Sequence, residues 1–359
     1  MTKARKHQVD INTTPYYHCI ARCVRRAYLC GEDFYSGKSY EHRKQWIVDE
    51  IKKLGEVFAI DICAFAIMSN HYHLVLHVNK DKARSWSEKE VINRWLTLFK
   101  GNLLVQRYIN YEKQSKAELD ALSTIVIKWR ERLMDISWFM RCLNESIARK
   151  ANEEDHCKGR FWEGRYKSQA LLDEAALLTC MMYVDLNPIR AGMSEELEKS
   201  DFTSIQARIA AVGEQLRIQQ KKAQRSGTMV LTKKRIKAAQ SLSLSGTPAL
   251  LGFAGNESAK RKVGIPFGLL DYFELIDWTG RAIRDDKKGY IPKHVQPLLH
   301  KLDLNQENWL DNVRHFERRF FNAVGRPQRM RSISDAMEGR SWFKGVNRCE
   351  SLYSPSPPH

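Results

Sequence analysis

Two apolar segments joined by a two-residue turn constrain the fold of this chain most strongly. Residues 60–68 read IDICAFAIM, residues 71–78 read HYHLVLHV, and only Ser69 and Asn70 separate them. Apolar runs of this length bounded by turn residues are typical of strands. A connection this short permits only antiparallel pairing. The sequence therefore predicts an antiparallel hairpin.

The segment before this hairpin extends the same pattern. Residues 16–24 (YYHCIARCV) read as a strand, and residues 40–58 form an amphipathic helix with Trp46, Ile47, Ile51 and Leu54 at helical spacing. Strand, helix, strand, strand is half of a ferredoxin-like arrangement. We therefore predict an α+β fold with an antiparallel sheet.

The rest of the chain reads mostly as helix. We predict helices over residues 88–111 and 136–152 with a helical insertion at about 112–135 between them, a strand over 166–172, and a helix over 173–187 that begins at Asp173 and ends before Pro188. Further helices are predicted over 267–284 and 306–324. The latter carries an apolar stripe that we interpret as core: Trp309, Val313, Phe316, Phe320 and Val324.

A chain of 359 residues suits two domains. We predict one domain over residues 1–210, a basic linker over 211–246, and a helical C-terminal domain over 247–359 with a disordered Pro/Ser tail. We expect the linker and the C-terminal domain to add affinity for phosphates rather than chemistry.

Charge indicates a polyanionic partner. Lys and Arg number 59 against 42 Asp and Glu, a net charge of +17, and such a field attracts nucleic acid first and anionic membranes second. No apolar run is long enough for a membrane helix, and the N-terminus has no apolar run behind its basic residues. We expect a cytoplasmic, nucleoid-associated protein with no membrane contact.

The eight cysteines contain no CxxC pair and do not form a disulfide pattern. Cys19 and Cys23, four apart in a predicted strand, could contribute to a zinc site, but buried reduced thiols are the better interpretation.

Two histidines open the second strand of the hairpin. Because alternate residues of a strand point to one face, His71 and His73 present two imidazoles side by side, which can hold a divalent metal from two points. A His-x-His motif is only three residues long, so it also arises by chance or for structural reasons. We interpret His77, on the same face, as a supporting or packing residue, and we expect Tyr72 to face the core.

Tyr183 and Asn187 lie four residues apart in the segment YVDLNPIRAGM, so a helix would place them on one face. An amide oxygen beside two imidazoles would complete three protein ligands, and a tyrosine one turn away would face a metal-bound phosphate. Alternatively, Tyr183 is a buried aromatic and Asn187 only precedes a helix stop. We add Arg190, from the same segment, to the predicted DNA-binding residues.

Glycines, cations and aromatics alternate in residues 159–168 (GRFWEGRYKS). Arg160, Arg165 and Lys167 can contact phosphates, and unpaired bases can stack on Phe161 and Trp162. Packing of a loop against a strand is the alternative.

In the order NHYHLVLHV, GRFWEGRYKS and YVDLNPIRAGM, the three motifs resemble the REP-associated tyrosine transposases, a branch of the single-tyrosine HUH (His-hydrophobe-His) transposases. The resemblance spans residues 16–202. It implies a ferredoxin-like fold, a divalent metal (Mg²⁺ or Mn²⁺), single-stranded hairpin DNA as substrate and a 5′-phosphotyrosine intermediate. Carried over by motif position, His71 and His73 are metal ligands, Tyr183 is the nucleophile and Asn187 is the third ligand.

The insertion at 112–135 and the C-terminal domain depart from the compact members of that family. The insertion could change the oligomeric state, and monomer and homodimer both stay open. The C-terminal domain could change the choice of DNA target. Two other functions also stay open: a domesticated hairpin-DNA-binding protein with little or no turnover, and an unrelated metal hydrolase that forms no covalent adduct. A rolling-circle initiator or relaxase would share the chemistry, but the sequence has no helicase-type GxxxxGK[ST] loop.

Overall fold

A five-stranded sheet organises the protein. In the computed structural model, the residues that can be described are 9–24, 29–32, 37–226, 248–255, 264–284, 296–336 and 343–354. Their strands are β1 (Tyr16–Arg22), β2 (Ile60–Ile67), β3 (His71–Val78), β4 (Lys167–Leu171) and β5 (Ala323–Val324). The strand order is β2-β3-β1-β4-β5, antiparallel except for the β4–β5 pair. The first four strands have the ferredoxin-like order, so the predicted α+β fold and its hairpin are confirmed.

Register decides which side chains meet on the sheet. Ile20 of β1 lies opposite His73 of β3, and Arg22 lies opposite His71. On the other side of β1, His18 lies opposite Gln169 of β4. Because opposed residues share a face, these side chains all point to the same side of the sheet.

The opposite face of the sheet packs against α1 (His42–Val57) and α6 (Ile136–Glu154). Tyr72 points to this side, is fully buried, and its hydroxyl donates to Asn144 Oδ1 at 2.7 Å. The predicted core position of Tyr72 is therefore confirmed.

The helices between β3 and β4 differ in part from the prediction. They are α2 (Lys80–Ser85), α3 (Glu88–Leu96), α4 (Leu103–Ile109), α5 (Lys116–Arg132) and α6. A single helix over 88–111 is wrong, because Asn102 caps a new helix by accepting from the Val105 N–H at 3.0 Å. The predicted helical segment at about 112–135 contains α5, which begins with a capping box between Ser115 and Glu118.

Three helices follow β4 on the His73 side of the sheet: α7 (Glu174–Asp185), α8 (Asn187–Arg190) and α9 (Ser204–Ser226). Asp173 caps α7 as predicted, since its carboxylate accepts from the Ala176 N–H at 2.9 Å. α7 is buried along its whole length and packs on β2, β3 and β4. It ends at Asp185, and after Leu186 a separate short helix begins with Asn187.

The C-terminal part is mainly helical. It comprises α10 (Leu269–Arg284), α11 (Gln296–Lys301), α12 (Trp309–Arg314), α13 (Phe316–Arg319), β5, α14 (Pro327–Ala336) and a 3₁₀ helix (Val346–Leu352). One helix over 306–324 is wrong. The chain turns at His315 and becomes extended at Phe320, because β5 bonds to β4 through Ala170 N–H to Asn322 O and Leu172 N–H to Val324 O. The five apolar residues of the predicted stripe are all buried as expected.

Part of the predicted basic linker, residues 211–226, belongs to α9; its residues 227–246 and the Pro/Ser tail from residue 355 lie outside the described residues. All eight cysteines are free thiols, with Cys19 and Cys23 buried. None of the described helices is long and apolar enough to cross a membrane.

Candidate active site

His73 lies at the centre of a cluster of aromatic rings on the α7 side of the sheet. It is fully buried, and the ring centroids of His71 and His73 are 4.8 Å apart at a steep interplanar angle of 81°. His18 of β1 lies edge to edge with His73 in nearly the same plane, with ring centroids 5.2 Å apart and planes 18° apart. Strand alternation therefore places His71 and His73 on one face, as predicted.

A chain of hydrogen bonds fixes the protonation pattern of His73. The Gln169 amide nitrogen donates to the carbonyls of Phe320 (3.0 Å) and Phe321 (2.6 Å), so Gln169 Oε1 faces His18 Nδ1 at 3.2 Å and accepts from it. His18 Nε2 is then an acceptor for His73 Nδ1–H at 3.0 Å. This arrangement leaves a lone pair on His73 Nε2, a buried atom with no hydrogen-bond partner among the described residues.

His71 also carries a lone pair on its Nε2 atom. Its Nδ1 lies 2.6 Å from Asn70 Oδ1, which can only accept, so Nε2 again carries the lone pair. Burial, with the charge of Arg22 adding to it, lowers the pKa of His71 to about 4. Burial likewise lowers the pKa of His18 to about 4 and that of His73 well below its usual value. At neutral pH all three imidazoles are uncharged, the form that binds metals.

Tyr183 of α7 faces this cluster. Its ring meets His73 edge-on with centroids 5.4 Å apart, and its hydroxyl donates to Glu317 Oε2 at 3.2 Å. Phe316 packs on the Tyr183 ring at 5.5 Å, so only 4% of Tyr183 is exposed. Burial raises the pKa of Tyr183; Arg190 opposes this effect and Glu317 adds to it.

Asn187 and Arg190 lie beside Tyr183. Asn187 is buried, and its Oδ1 accepts from Arg190 Nη2 at 3.2 Å while its Nδ2 has no partner among the described residues. The Arg190 guanidinium lies 4.4 Å from the centroid of the Tyr183 ring. Arg190 therefore contacts both Asn187 and Tyr183. The two residues do not lie on one helix as expected, because α7 ends at Asp185 and Asn187 begins α8.

Two of these imidazoles have the donor chemistry that could hold a divalent metal. His71 and His73 each offer an unprotonated Nε2, and the Nε2 of His73 is an otherwise unsatisfied buried atom. No cluster of three or more His, Cys, Asp or Glu that could hold a metal occurs in the described part of the chain. Asn187 Oδ1, the third ligand expected from the sequence, is a neutral oxygen with a second lone pair that could bind a metal.

Glu317 is a site residue that the sequence did not reveal. It comes from the C-terminal part, contacts Tyr183, and forms an ion pair with Lys167 Nζ at 3.3 Å. Burial alone would raise the pKa of Glu317, but the Lys167 ammonium holds it below its usual value. Glu317 is thus an ionised acceptor beside a tyrosine that resists deprotonation.

The segment at 159–168 borders the same end of the sheet. The Glu163 N–H donates to Arg22 O at 2.8 Å, and Arg22 pairs with His71 in the sheet. Arg165 is exposed, and Lys167 reaches Glu317. Cations of this segment therefore stand at the edge of the candidate site.

The aromatics of that segment are less accessible than expected. Phe161 is 2% exposed and cannot stack on a base, so that expectation is wrong. Trp162 is half-buried, its indole N–H donates to Asn144 O at 2.8 Å, and its ring packs on Tyr72. Arg160 is exposed, but its Nε donates to Trp162 O at 2.8 Å. Loop packing thus accounts for Phe161 and in part for Trp162 and Arg160.

His18 and Gln169 were also missed. The only signal for His18 is alternation within β1, which places it on one of two faces, and no sequence feature predicts that β4 brings Gln169 next to it. Their separation of 151 residues makes this pairing a consequence of the tertiary fold.

Comparison with known proteins gives one structural likeness. No protein-family model and no curated protein matches the chain. Among solved structures, the chain is similar to a REP-associated tyrosine transposase bound to a REP hairpin, with 12% sequence identity and a TM-score of 0.35. The match covers 58% of this chain and 86% of the other.

Proposed function

We propose that this protein cleaves and rejoins single-stranded DNA by forming a covalent bond between Tyr183 and a 5′-phosphate. The observation that carries the proposal is the juxtaposition of a tyrosine hydroxyl with an ionised carboxylate and with two imidazoles whose Nε2 atoms are unprotonated. This combination provides a nucleophile, an acceptor for its proton and a metal-binding pair within one cluster.

In the proposed reaction, the Tyr183 oxygen attacks phosphorus while Glu317 Oε2 accepts the phenol proton. The bond from phosphorus to the 3′-oxygen breaks, and the departing 3′-oxygen takes a proton from water to become a 3′-hydroxyl. Attack by a 3′-hydroxyl on the phosphotyrosine reverses these steps and joins strands. Arg190 and Lys167 place positive charge near the phosphate.

A divalent metal, Mg²⁺ or Mn²⁺, would be held by His71, His73 and Asn187, and when bound it supplies Lewis-acid polarisation of a phosphate oxygen. The protein's own contribution is the orientation of both imidazoles. Asn70 orients His71, and the Gln169–His18 pair orients His73.

The substrate class follows from the charge of the chain and from the resemblance of its motifs. A net charge of +17 favours a polyanion, and the motif order resembles enzymes that act on single-stranded hairpin DNA.

The burial of Tyr183 favours a second candidate, a hairpin-DNA-binding protein with little turnover. With Glu317 on its hydroxyl and Phe316 on its ring, Tyr183 meets a phosphate only if α13 moves. Both candidates share DNA binding and differ in covalent chemistry.

Denaturing gel electrophoresis distinguishes the two candidates. The full chain is incubated with labelled single-stranded hairpins and Mn²⁺, alongside Tyr183→Phe and the matched control Tyr166→Phe, whose hydroxyl contacts Ser137 Oγ instead. We expect a protein–DNA adduct with wild type and the control but none with Tyr183→Phe. Binding without any adduct in wild type would favour the second candidate.

A further inference from the structure

A second surface of the protein has the chemistry of a nucleic-acid site. A groove of about 490 Å³ lies between the helices of the insertion region, which we call the tryptophan groove, and its aromatic lining consists of Trp95, Phe99, Trp129 and Trp138. Trp95 stacks on Trp129 with centroids 5.1 Å apart and planes 12° apart. Phe99 contacts Trp95 at 4.4 Å and Trp138 at 5.8 Å. Trp95 and Trp129 are buried, whereas Phe99 and Trp138 are partly buried, and the Arg132 and Arg141 guanidiniums lie over the Trp138 ring.

Cations surround these rings. Lys100, Lys128, Arg132 and Arg141 line the groove, and no Asp or Glu does so within the described part of the chain. The Arg132 guanidinium lies 4.4 Å from the Trp138 ring centroid and has no carboxylate partner among described residues. Lys100 and Lys128 are exposed. Arg141 is paired with Glu145 at 3.6 Å, whereas Lys100, Lys128 and Arg132 have no carboxylate partner among the described residues. The groove therefore combines flat apolar surfaces with three cations that internal ion pairs do not neutralise.

We infer that the tryptophan groove binds single-stranded nucleic acid, with bases stacked on the aromatic and guanidinium planes and phosphates on the lysines. A single strand alternates exposed base faces with phosphates. Its bases can therefore stack on the aromatic rings of the groove while its phosphates contact the cations. A duplex hides those faces within its own stack. An acidic peptide would match the charge but not the series of flat stacked surfaces.

The groove lies on the far side of the sheet from Tyr183. α6, which carries Trp138 and Arg141, packs on the face opposite to α7. One turn beyond Arg141, the Asn144 carbonyl accepts from Trp162, whose segment borders His71 through Arg22. The α6 surface thus connects the groove with the rim of the candidate active site.

This inference rests on the proposed function for its substrate class and adds to it a binding site away from the cleaved phosphate. A strand held in the groove belongs to the flank of the substrate. The groove would raise affinity for substrates with a single-stranded extension. The insertion helix α5 supplies Lys128, Trp129 and Arg132 to the groove, which gives that insertion a role.

Fluorescence anisotropy with a labelled oligo(dT) of about 12 nucleotides, within the usual size range of single-strand sites, tests the inference. The full chain carries Tyr183→Phe, so that no covalent adduct forms. Lys100→Glu combined with Lys128→Glu should weaken binding about tenfold or more at low salt. The slope of log affinity against log salt should become shallower by about 1.4, for two lost phosphate contacts.

The matched control is Lys113→Glu with Lys116→Glu, which changes the net charge equally at two exposed lysines of the same insertion outside the groove. It should change affinity less than about twofold. Equal losses in both variants would overturn the inference, because generic charge would then explain binding.

Two further probes test the stacking. An abasic strand of the same length should bind about tenfold more weakly than oligo(dT) and should not quench tryptophan fluorescence, whereas oligo(dT) should quench it. Equal affinity for the abasic strand, or for oligo-glutamate, would overturn the inference. Because binding is measured in Tyr183→Phe, failure of the groove and failure of the nucleophile are separate results.

Discussion

Replacing His18 with phenylalanine tests the hydrogen-bond chain that prepares His73 for metal. The change keeps a ring of similar size among Tyr183 and Phe316 but removes the acceptor for His73 Nδ1–H and the donor to Gln169 Oε1. Each buried group left without a partner costs about 1–3 kcal/mol, so we expect a loss of roughly 2–6 kcal/mol in the free energy of unfolding.

The same change should weaken metal binding. Without His18, no acceptor holds the His73 proton on Nδ1, so the proton can move to Nε2. A protonated Nε2 has no lone pair to offer a metal. Loss of such supporting partners typically lowers metal affinity about 10–100-fold, which corresponds to about 1.4–2.8 kcal/mol.

Mn²⁺ titration provides the assay, by calorimetry and by the Mn²⁺ concentration that gives half-maximal cleavage. The control is His77→Phe. His77 lies on the same strand and face as His73, but it bonds to Asp61 away from the site. We expect the midpoint to rise about 10–100-fold for His18→Phe and less than about twofold for the control. A folded His18→Phe protein with an unchanged midpoint would refute the role assigned to this chain of hydrogen bonds.

Four further results are expected. Glu317→Gln should slow adduct formation about 10²–10⁴-fold in single-turnover assays while hairpin binding persists, because the amide no longer accepts the phenol proton; an unchanged rate would exclude Glu317 as the acceptor. Phe316→Ala should lower the free energy of unfolding by about 3–5 kcal/mol in urea titrations, since the ring is fully buried, and a loss below about 1 kcal/mol would contradict that packing. His71→Ala and His73→Ala should each abolish cleavage and spare binding in gel-shift assays, and full cleavage in excess chelator would remove the metal from the mechanism. Single-stranded hairpins should be cut faster than the same sequence in duplex form, and equal rates would count against the proposed substrate.

Local pattern was enough to predict the part of the site carried by β3. The predicted strand begins at His71 and ends at Val78 as observed, because the apolar run and the two-residue turn both act locally. Alternation then placed His71 and His73 on one face and Tyr72 on the other. Only short-range backbone geometry enters this inference.

The remainder of the site depends on contacts that local pattern does not encode. The helical period around Phe316 predicted one long helix, but pairing of β5 with β4 ends it at Arg319. That ending places Glu317 against Tyr183. The His18–Gln169 contact likewise depends on strand order across 151 residues. Tertiary hydrogen bonding overrode local propensity in the first case, and in the second case local pattern predicted both strands but not their pairing.

Peptide mapping of a trapped protein–DNA adduct tests the central claim most directly. The full chain is reacted with a single-stranded hairpin and Mn²⁺, digested, and analysed by mass spectrometry for the peptide that carries a nucleotide. We expect a phosphate ester on Tyr183. An adduct on Tyr166, Tyr72 or any other residue, or cleavage by wild type with no adduct at all, would contradict it.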